Sequence, residues 1–389
     1  MAASRARGQD TSPPAAIVPK YDRTAFILIT SMFFAWGLAN NMTDTLLVAF
    51  KKIMSMSDFE TAFVQYAFYG AYFCFALPAA LMTKRFTYKT GILFGLALFI
   101  IGGMLFYPAS QTMHYMHFLA ALYILAGGLA FLETSSNPYV LALGPEQTAT
   151  QRLNLAQSFN PIGSMTGVLL SKIFILSHLH SADAAARRSM SADQLHAIQQ
   201  DELSAVMGPY VGVAGILAVL WLIMALTRMP RASDAATTLE LGATLKRLLG
   251  RRRYVASVVA QFFYVGAQIG IWSFTIRYVM ANLGVNEAAA SSYYLAALLL
   301  FVVSRFLCTA AMQVIRPTVL LAMMALLALL LTVIAVFEHG TVGVYALVGV
   351  SGCMSLMFPT IYGIGLVIVA AFGFFADRRR LQGMSGPSQ

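Results

Sequence analysis

Apolar stretches of about twenty residues recur along the whole chain, among them "ILFGLALFIIGGMLFY" (92–107) and "TVLLAMMALLALLLTVIAVF" (318–337). A helix needs about twenty such residues to cross the hydrocarbon core of a bilayer. No water is available there, so backbone N–H and C=O groups must be satisfied within helices or closed barrels. Barrel strands alternate apolar and polar residues with period two, and these runs do not. The pattern predicts an all-α polytopic membrane protein. Composition agrees: 59% of residues are hydrophobic, 11% are charged, and mean hydropathy is +0.71, too little polar surface for a soluble domain.

Membrane helices are expected near 24–50, 59–82, 90–108, 116–143, 152–176, 206–227, 254–283, 288–314, 318–337 and from 342 onward. With the N-terminus inside, the inner loops and tails hold Lys84, Arg85, Lys89, Arg228, Arg231, Lys246, Arg247, Arg251 to Arg253, Arg316 and Arg378 to Arg380. The outer loops hold Lys51, Lys52, Lys172, Arg187, Arg188 and Arg277. That excess of inner cations fixes the orientation, with both termini cytoplasmic. The net charge of +10 is spread over these short loops and does not indicate nucleic acid. The opening "MAASRARGQDTSPPAAIVPKYDR" has no apolar core segment and reads as a tail, not a signal peptide. Cys74, Cys308 and Cys353 lie in apolar runs, so no disulfide framework is expected.

Two loops are long. Residues 177–205 are outer and polar, with a helix-forming stretch after Ser191. Residues 228–253 are inner and basic, and "TTLELGATLKRLL" within them has the pattern of an amphipathic surface helix. The expected organisation is a tail (1–23), a six-helix bundle (24–227), a linker (228–253), a second bundle (254–376) and a tail (377–389). The halves have a weak signature of parallel repeats: Glu133 precedes Pro138 by five residues, as Met354 precedes Pro359.

No phosphate-binding loop, HExxH or Cys/His metal cluster is present, so neither an enzyme nor a cofactor or metal is expected. The sequon "NMT" at Asn41 falls within a membrane helix and is discounted; GxxxG at Gly91–Gly95 and Gly163–Gly167 indicates close helix packing. The informative residues are polar and intramembrane. Helical spacing groups Trp36, Asn40 and Asp44, with Asn41 alongside; Glu133 and Asn137; Asn154, Gln157, Asn160 and Ser164; and Gln261, Tyr264, Gln268 and Trp272. Amides, hydroxyls and aromatic faces are what a sugar requires. The bland alternative is helix bridging for Asn41 and Asn154 and packing for Trp272. Arg152 and Arg305 read as snorkelling or structural cations. Asp44 and Glu133 carry the sharper signal. An intramembrane carboxylate costs about 3 kcal/mol or more. Burial disfavours its charged form, which suits a group that takes up and releases a proton. The alternative is a structural carboxylate paired with an arginine.

The motifs "WGLANNMTDTLL", "FLETSSNPYVLALGPE", "RLNLAQSFNPIG" and "AQFFYVGAQIGIWSFTIRY" closely resemble the L-fucose:proton symporters of the major facilitator superfamily. The outer stretch "MSADQLHAIQQ" resembles that branch rather than the sister glucose/galactose transporters. The resemblance covers about residues 24 to 365 and implies Asp44 as proton-coupling group, Glu133 in binding and coupling, and Gln157 and Asn160 lining a cavity. Asn40, Asn41, Asn137, Tyr264, Gln268 and Trp272 join them as candidate sugar-binding residues. The implied protein is a monomeric sugar symporter of a bacterial inner membrane, whose partners are a sugar, a proton and lipid. Another hexose transporter, or a sugar sensor on a transporter scaffold, are the alternatives.

The end departs from the pattern. Where relatives continue "FPTIY" with a loop and two more helices, here "FPTIYGIG" runs into "LVIVAAFGFFADRRR". The resemblance implies a shortened second half; the length of the last segment and the inner placement of Arg378 to Arg380 then predict ten crossings, with that segment crossing once and kinked at Pro359.

Overall fold

The computed structural model describes residues 16–53, 58–112, 114–174, 190–230 and 241–366; within α1 the side chains of residues 43–52 lie outside the description. The described residues are almost entirely helical, with no strand among them. The first half contains α1 (Arg23–Ile53), α2 (Asp58–Arg85), α3 (Tyr88–Thr112), α4 (Tyr115–Ala142), α5 (Ala149–Gln157), α6 (Phe159–Phe174) and α7 (Ala192–Leu226). The short surface helix α8 (Leu241–Leu249) leads to the second half: α9 (Arg252–Leu283), α10 (Glu287–Ala311), α11 (Pro317–Phe337), α12 (Thr341–Met354) and α13 (357–366). Nine spans among the described residues are long and apolar enough to cross a membrane, α12 and α13 together forming one. The broken α5–α6 pair, of 9 and 16 residues, lies outside those nine.

Three differences from the sequence expectation have physical causes. The helix-forming stretch after Ser191 is continuous with the sixth membrane helix. Ser191 and Gln194 form a reciprocal capping box that starts α7 there, and Gln199 Nε2 donates to the Ile53 carbonyl at the end of α1 (2.6 Å). The fifth helix is broken at Ser158, because Pro161 has no N–H to return to the Gln157 carbonyl. The tenth breaks at Ser355 and Leu356, four and three residues before Pro359, so the kink falls one turn ahead of the proline. The expected loop pieces 175–189 and 231–240 and the chain end 367–389 lie outside the described residues.

The halves differ in how their helices meet. In the first half, α1 and α6 touch backbone to backbone. A Cβ on Gly163 would overlap the Phe34 carbonyl, and one on Gly37 would overlap the Asn160 carbonyl. Between two membrane helices, such contact of small residues is the main source of packing energy, since lipid tails are as apolar as leucine. In the second half, α9 buries only Tyr264, Thr275 and Val279, and a Cβ on Gly266 or Gly270 would meet nothing within 4 Å.

Candidate functional site: a polar line where the halves meet

The site grows from α4. Helical spacing stacks Asn137 one turn beyond Glu133, and the Asn137 amide donates to the Glu133 carbonyl (3.1 Å). Asn137 is fully buried, and its Oδ1 accepts from Gln157 Nε2 at 2.7 Å, which ties α4 to α5. The Glu133 side chain is half-buried beside this pair. From the second half, Tyr362 on α13 packs against the first-half core and stacks parallel on Phe358 (6.4 Å). A carboxylate and two amides thus gather at one place, donors and acceptors that a sugar's hydroxyls need, with the Tyr362 phenol brought to the first half by α13.

The alternative reading, a structural carboxylate paired with an arginine, finds no such partner for Glu133 in Arg152 or Arg305. Arg152 is fully buried and does not snorkel. Its guanidinium donates to the carbonyls of Val140 (2.7 Å), Leu141 (2.5 Å), Gly144 (3.4 Å), Pro145 (3.3 Å) and Ile17 (3.0 Å). It closes the C-terminal end of α4, where carbonyls lack helical partners. Arg305 is also buried, and it donates to the Ser355 carbonyl (2.5 Å) and the Gln157 carbonyl (3.1 Å). Both intramembrane guanidiniums are structural, as one of the two sequence readings held, and neither pairs with Glu133.

The stripe drawn through Asn154, Gln157, Asn160 and Ser164 is divided by the break at Ser158. Asn154 reaches across the halves, its Nδ2 donating to Thr360 Oγ1 (3.1 Å), while its buried Oδ1 has no partner in the protein. Gln157 turns to α4. Asn160 Nδ2 and Ser164 Oγ donate to the α1 carbonyls of Phe33 (3.2 Å) and Gly37 (3.4 Å). On α1, Asn41 Nδ2 donates to the Gly37 carbonyl (3.3 Å), and Asn40 keeps a buried Oδ1 without a protein partner. The Asp44 side chain lies outside the described residues. On α9, Tyr264 is buried and donates to the Met354 carbonyl (2.9 Å), and Trp272 Nε1 donates to Ser351 Oγ (3.3 Å) with its ring edge-on to Phe301. Gln268 is half-buried on that inward face, and Gln261 holds a buried amide that finds no partner in the protein. Polar atoms buried without protein partners on α1, α5 and α9 are sites that a ligand or water can satisfy.

Sequence reasoning overlooked Tyr362, Thr360 and Gln151 as members of the junction. The signal for Arg305 was present: a cation in an apolar helix, and two prolines each of which frees the carbonyl four residues earlier.

Comparison with known proteins follows the same line. Residues 25–376 match the Major Facilitator Superfamily. The chain belongs to that superfamily. It is 40% identical to the L-fucose-proton symporter of Haemophilus influenzae, over 90% of this chain and 83% of the relative. It is 32% identical to the glucose/galactose transporter of Brucella abortus, over 88% of this chain and 80% of the relative. The crystal structure of the Escherichia coli fucose:proton symporter superposes with a TM-score of 0.84 at 36% identity, covering 88% of this chain and 84% of that one. Members of this superfamily are transporters, and this chain is not an enzyme. It shares the superfamily's fold, with two helical halves meeting along α5.

Proposed function

We propose that this protein is a proton-coupled sugar symporter that takes up L-fucose across a bacterial inner membrane, as a monomer with both termini in the cytoplasm. The observation that carries it is Glu133: a half-buried carboxylate next to buried amides, while both buried arginines are occupied with backbone carbonyls. A carboxylate in that position is costly when ionised, and a proton removes the cost. Binding a neutral sugar is then favourable when the proton is on, and release of both follows when the site opens to the other side. Asp44, on the polar face of α1, is the second carboxylate of the pair.

In this reading Glu133, Asn137, Gln157, Asn160, Asn40 and Asn41 on the first half and Tyr264, Gln268 and Trp272 on the second line the sugar's path. The amides and phenols bond its hydroxyls, and Trp272 gives its ring a flat apolar wall. The bundle 24–227 and the helices from 254 onward rock about this site, joined by the linker 228–253. Closer identity to the fucose relative than to the glucose/galactose relative favours fucose over other hexoses.

The test is uptake in proteoliposomes with an inward proton gradient and labelled fucose, galactose and glucose. Gradient-dependent accumulation of fucose, preferred over the other two, is expected. Binding without accumulation would leave a sensor in place of a symporter.

A further inference from the structure

Two prolines leave two buried carbonyls with nothing to bond. Pro161 cannot donate to the Gln157 carbonyl, and Pro359 cannot donate to the Ser355 carbonyl, since proline has no N–H. The first carbonyl belongs to the first half of the molecule and the second to the second half. One side chain satisfies both: Arg305 of α10 sends Nε to Ser355 and a terminal nitrogen to Gln157. Its guanidinium lies over the Phe301 ring, 4.7 Å from the centroid, so its plane is held while its edge points at the carbonyls. The planar fork of arginine suits this geometry, and the point charge of a lysine does not.

The neighbours of this contact repeat its sense. Gln151 Nε2 donates to the Thr309 carbonyl (3.0 Å) and Asn154 Nδ2 to Thr360 Oγ1 (3.1 Å), both from α5 to the second half. Gln151, Asn154 and Gln157 are spaced by three residues and so share a face of α5. Arg152, by contrast, makes all its bonds within the first half. A bond inside one half, such as that from Arg305 to Ser355, can survive when the halves rock; the bond from Arg305 to the Gln157 carbonyl, which crosses between them, cannot. Gln157 also joins this contact to the site, because its side chain donates to Asn137 while its carbonyl receives Arg305.

We propose that Arg305 is the latch between the two halves: it clasps the carbonyls freed by Pro161 and Pro359, and opening at the α5 end requires it to let go. This rests on the rocking of the halves proposed above but not on the identity of the sugar. A ligand that draws the Gln157 amide away from Asn137 shifts the carbonyl on the same residue, which connects occupancy of the site to the latch.

The test uses the full chain in lipid nanodiscs, with Cys74→Ser and spin labels on Gln147→Cys and Gln313→Cys. These are exposed positions on the turns beside α5 and α10, one on each half. Distances between the labels are read by pulsed electron resonance, with fucose binding and thermal midpoint measured on every variant. Arg305→Gln and Arg305→Lys are each expected to enlarge the long-distance population by about tenfold or more, the loss of a charge-assisted hydrogen bond. In a Pro161→Ala/Pro359→Ala background, helical N–H groups take up both carbonyls. There the Arg305 substitutions are expected to change the distribution by less than about threefold. If Arg305→Gln does not fold, Arg305→Lys carries the test alone. An unchanged distribution in a folded Arg305 variant, or an equal change in both backgrounds, overturns the latch. A tenfold change in a protein that accumulates no sugar leaves the latch standing and removes the symporter reading.

Discussion

Adding one methyl group at Gly163 should loosen the first half, while the same change at Gly266 should not. A Cβ at Gly163 overlaps the Phe34 carbonyl and sits 3.0 Å from the Leu38 nitrogen. These are backbone atoms and cannot swing aside, so α1 and α6 must part by about 1 Å, an overpacking cost of about 1–3 kcal/mol. Parting also stretches the bonds from Asn160 to Phe33 (3.2 Å) and Ser164 to Gly37 (3.4 Å) past useful length. Each such interhelical bond contributes about 0.6 kcal/mol. Alanine's better helix propensity returns about 1 kcal/mol. The net expectation for Gly163→Ala is a loss of about 1–3 kcal/mol. Gly266 has open space, so Gly266→Ala keeps only the gain, about 0.5–1 kcal/mol. The assay is thermal unfolding in detergent, followed by a fluorophore that reacts with newly exposed thiols. A cysteine at Ala126, buried in the first half, reports Gly163→Ala in a background without native cysteines. Native Cys353, buried in the second half, reports Gly266→Ala. A clear drop in midpoint is expected for the first and none for the second. Equal shifts in the two, or no drop for Gly163→Ala, would refute the claim that glycine contact holds α1 against α6.

Three further expectations concern the junction. Asp44→Asn should abolish gradient-driven accumulation while leaving sugar exchange, and unchanged accumulation in the mutant would remove Asp44 from coupling. Glu133→Gln should weaken sugar binding by about two- to tenfold, the loss of one neutral hydrogen bond from the protonated carboxyl, and flatten its pH dependence. Equal binding by both proteins from about pH 5 to 9, the range over which buried carboxylates titrate, would count against it. Asn154→Ala and Thr360→Val in a double-mutant cycle should show coupling of about 0.6 kcal/mol in thermal stability, the average for such pairs, and a value indistinguishable from zero would mean the 3.1 Å contact is incidental.

The all-helical polytopic class and the polar faces were legible because bilayer thickness and the absence of water admit few alternatives; ten crossings were expected and nine spans among the described residues qualify. Glu133 with Asn137 follows from spacing within one helix, and so does the inward face of Tyr264, Gln268 and Trp272. The long-range partners were not legible. Asn160 was grouped with Gln157 on one stripe, yet Pro161 breaks the helix between the turns and sends Asn160 to α1 and Gln157 to α4. Periodicity assumes an unbroken helix, so it fails where proline interrupts the ladder. Arg305 was read as snorkelling or structural because a linear sequence shows a cation's depth but not the carbonyls that face it. Tyr362 meets the first-half core only because α13 packs against it, a contact between distant parts of the chain.

The unequal packing of the halves has a consequence for how the protein comes apart. Apolar burial drives little between helices in lipid, so stability comes from backbone approach and interhelical bonds. The first half has both: Gly163 against Phe34, Gly128 close against Gly95, and the Lys89 ammonium on the carbonyls of Ala225 (2.9 Å) and Thr227 (2.8 Å). The second half has Tyr264 on Met354 and Tyr278 on Ala335, but its α9 presents Gly266 and Gly270 to open space. The halves should therefore unfold in two steps, the second half first. With the same reporters, the Cys353 thiol should become reactive at a lower temperature than a cysteine at Ala126. The contacts of α5 soften this separation, because Gln151, Asn154 and Arg305 hang the second half on the first. Arg305→Gln should then widen the gap between the two midpoints by lowering that of Cys353 alone. Coincident midpoints in the parent protein would mean that contact across the halves, and not packing within them, sets the stability of the whole.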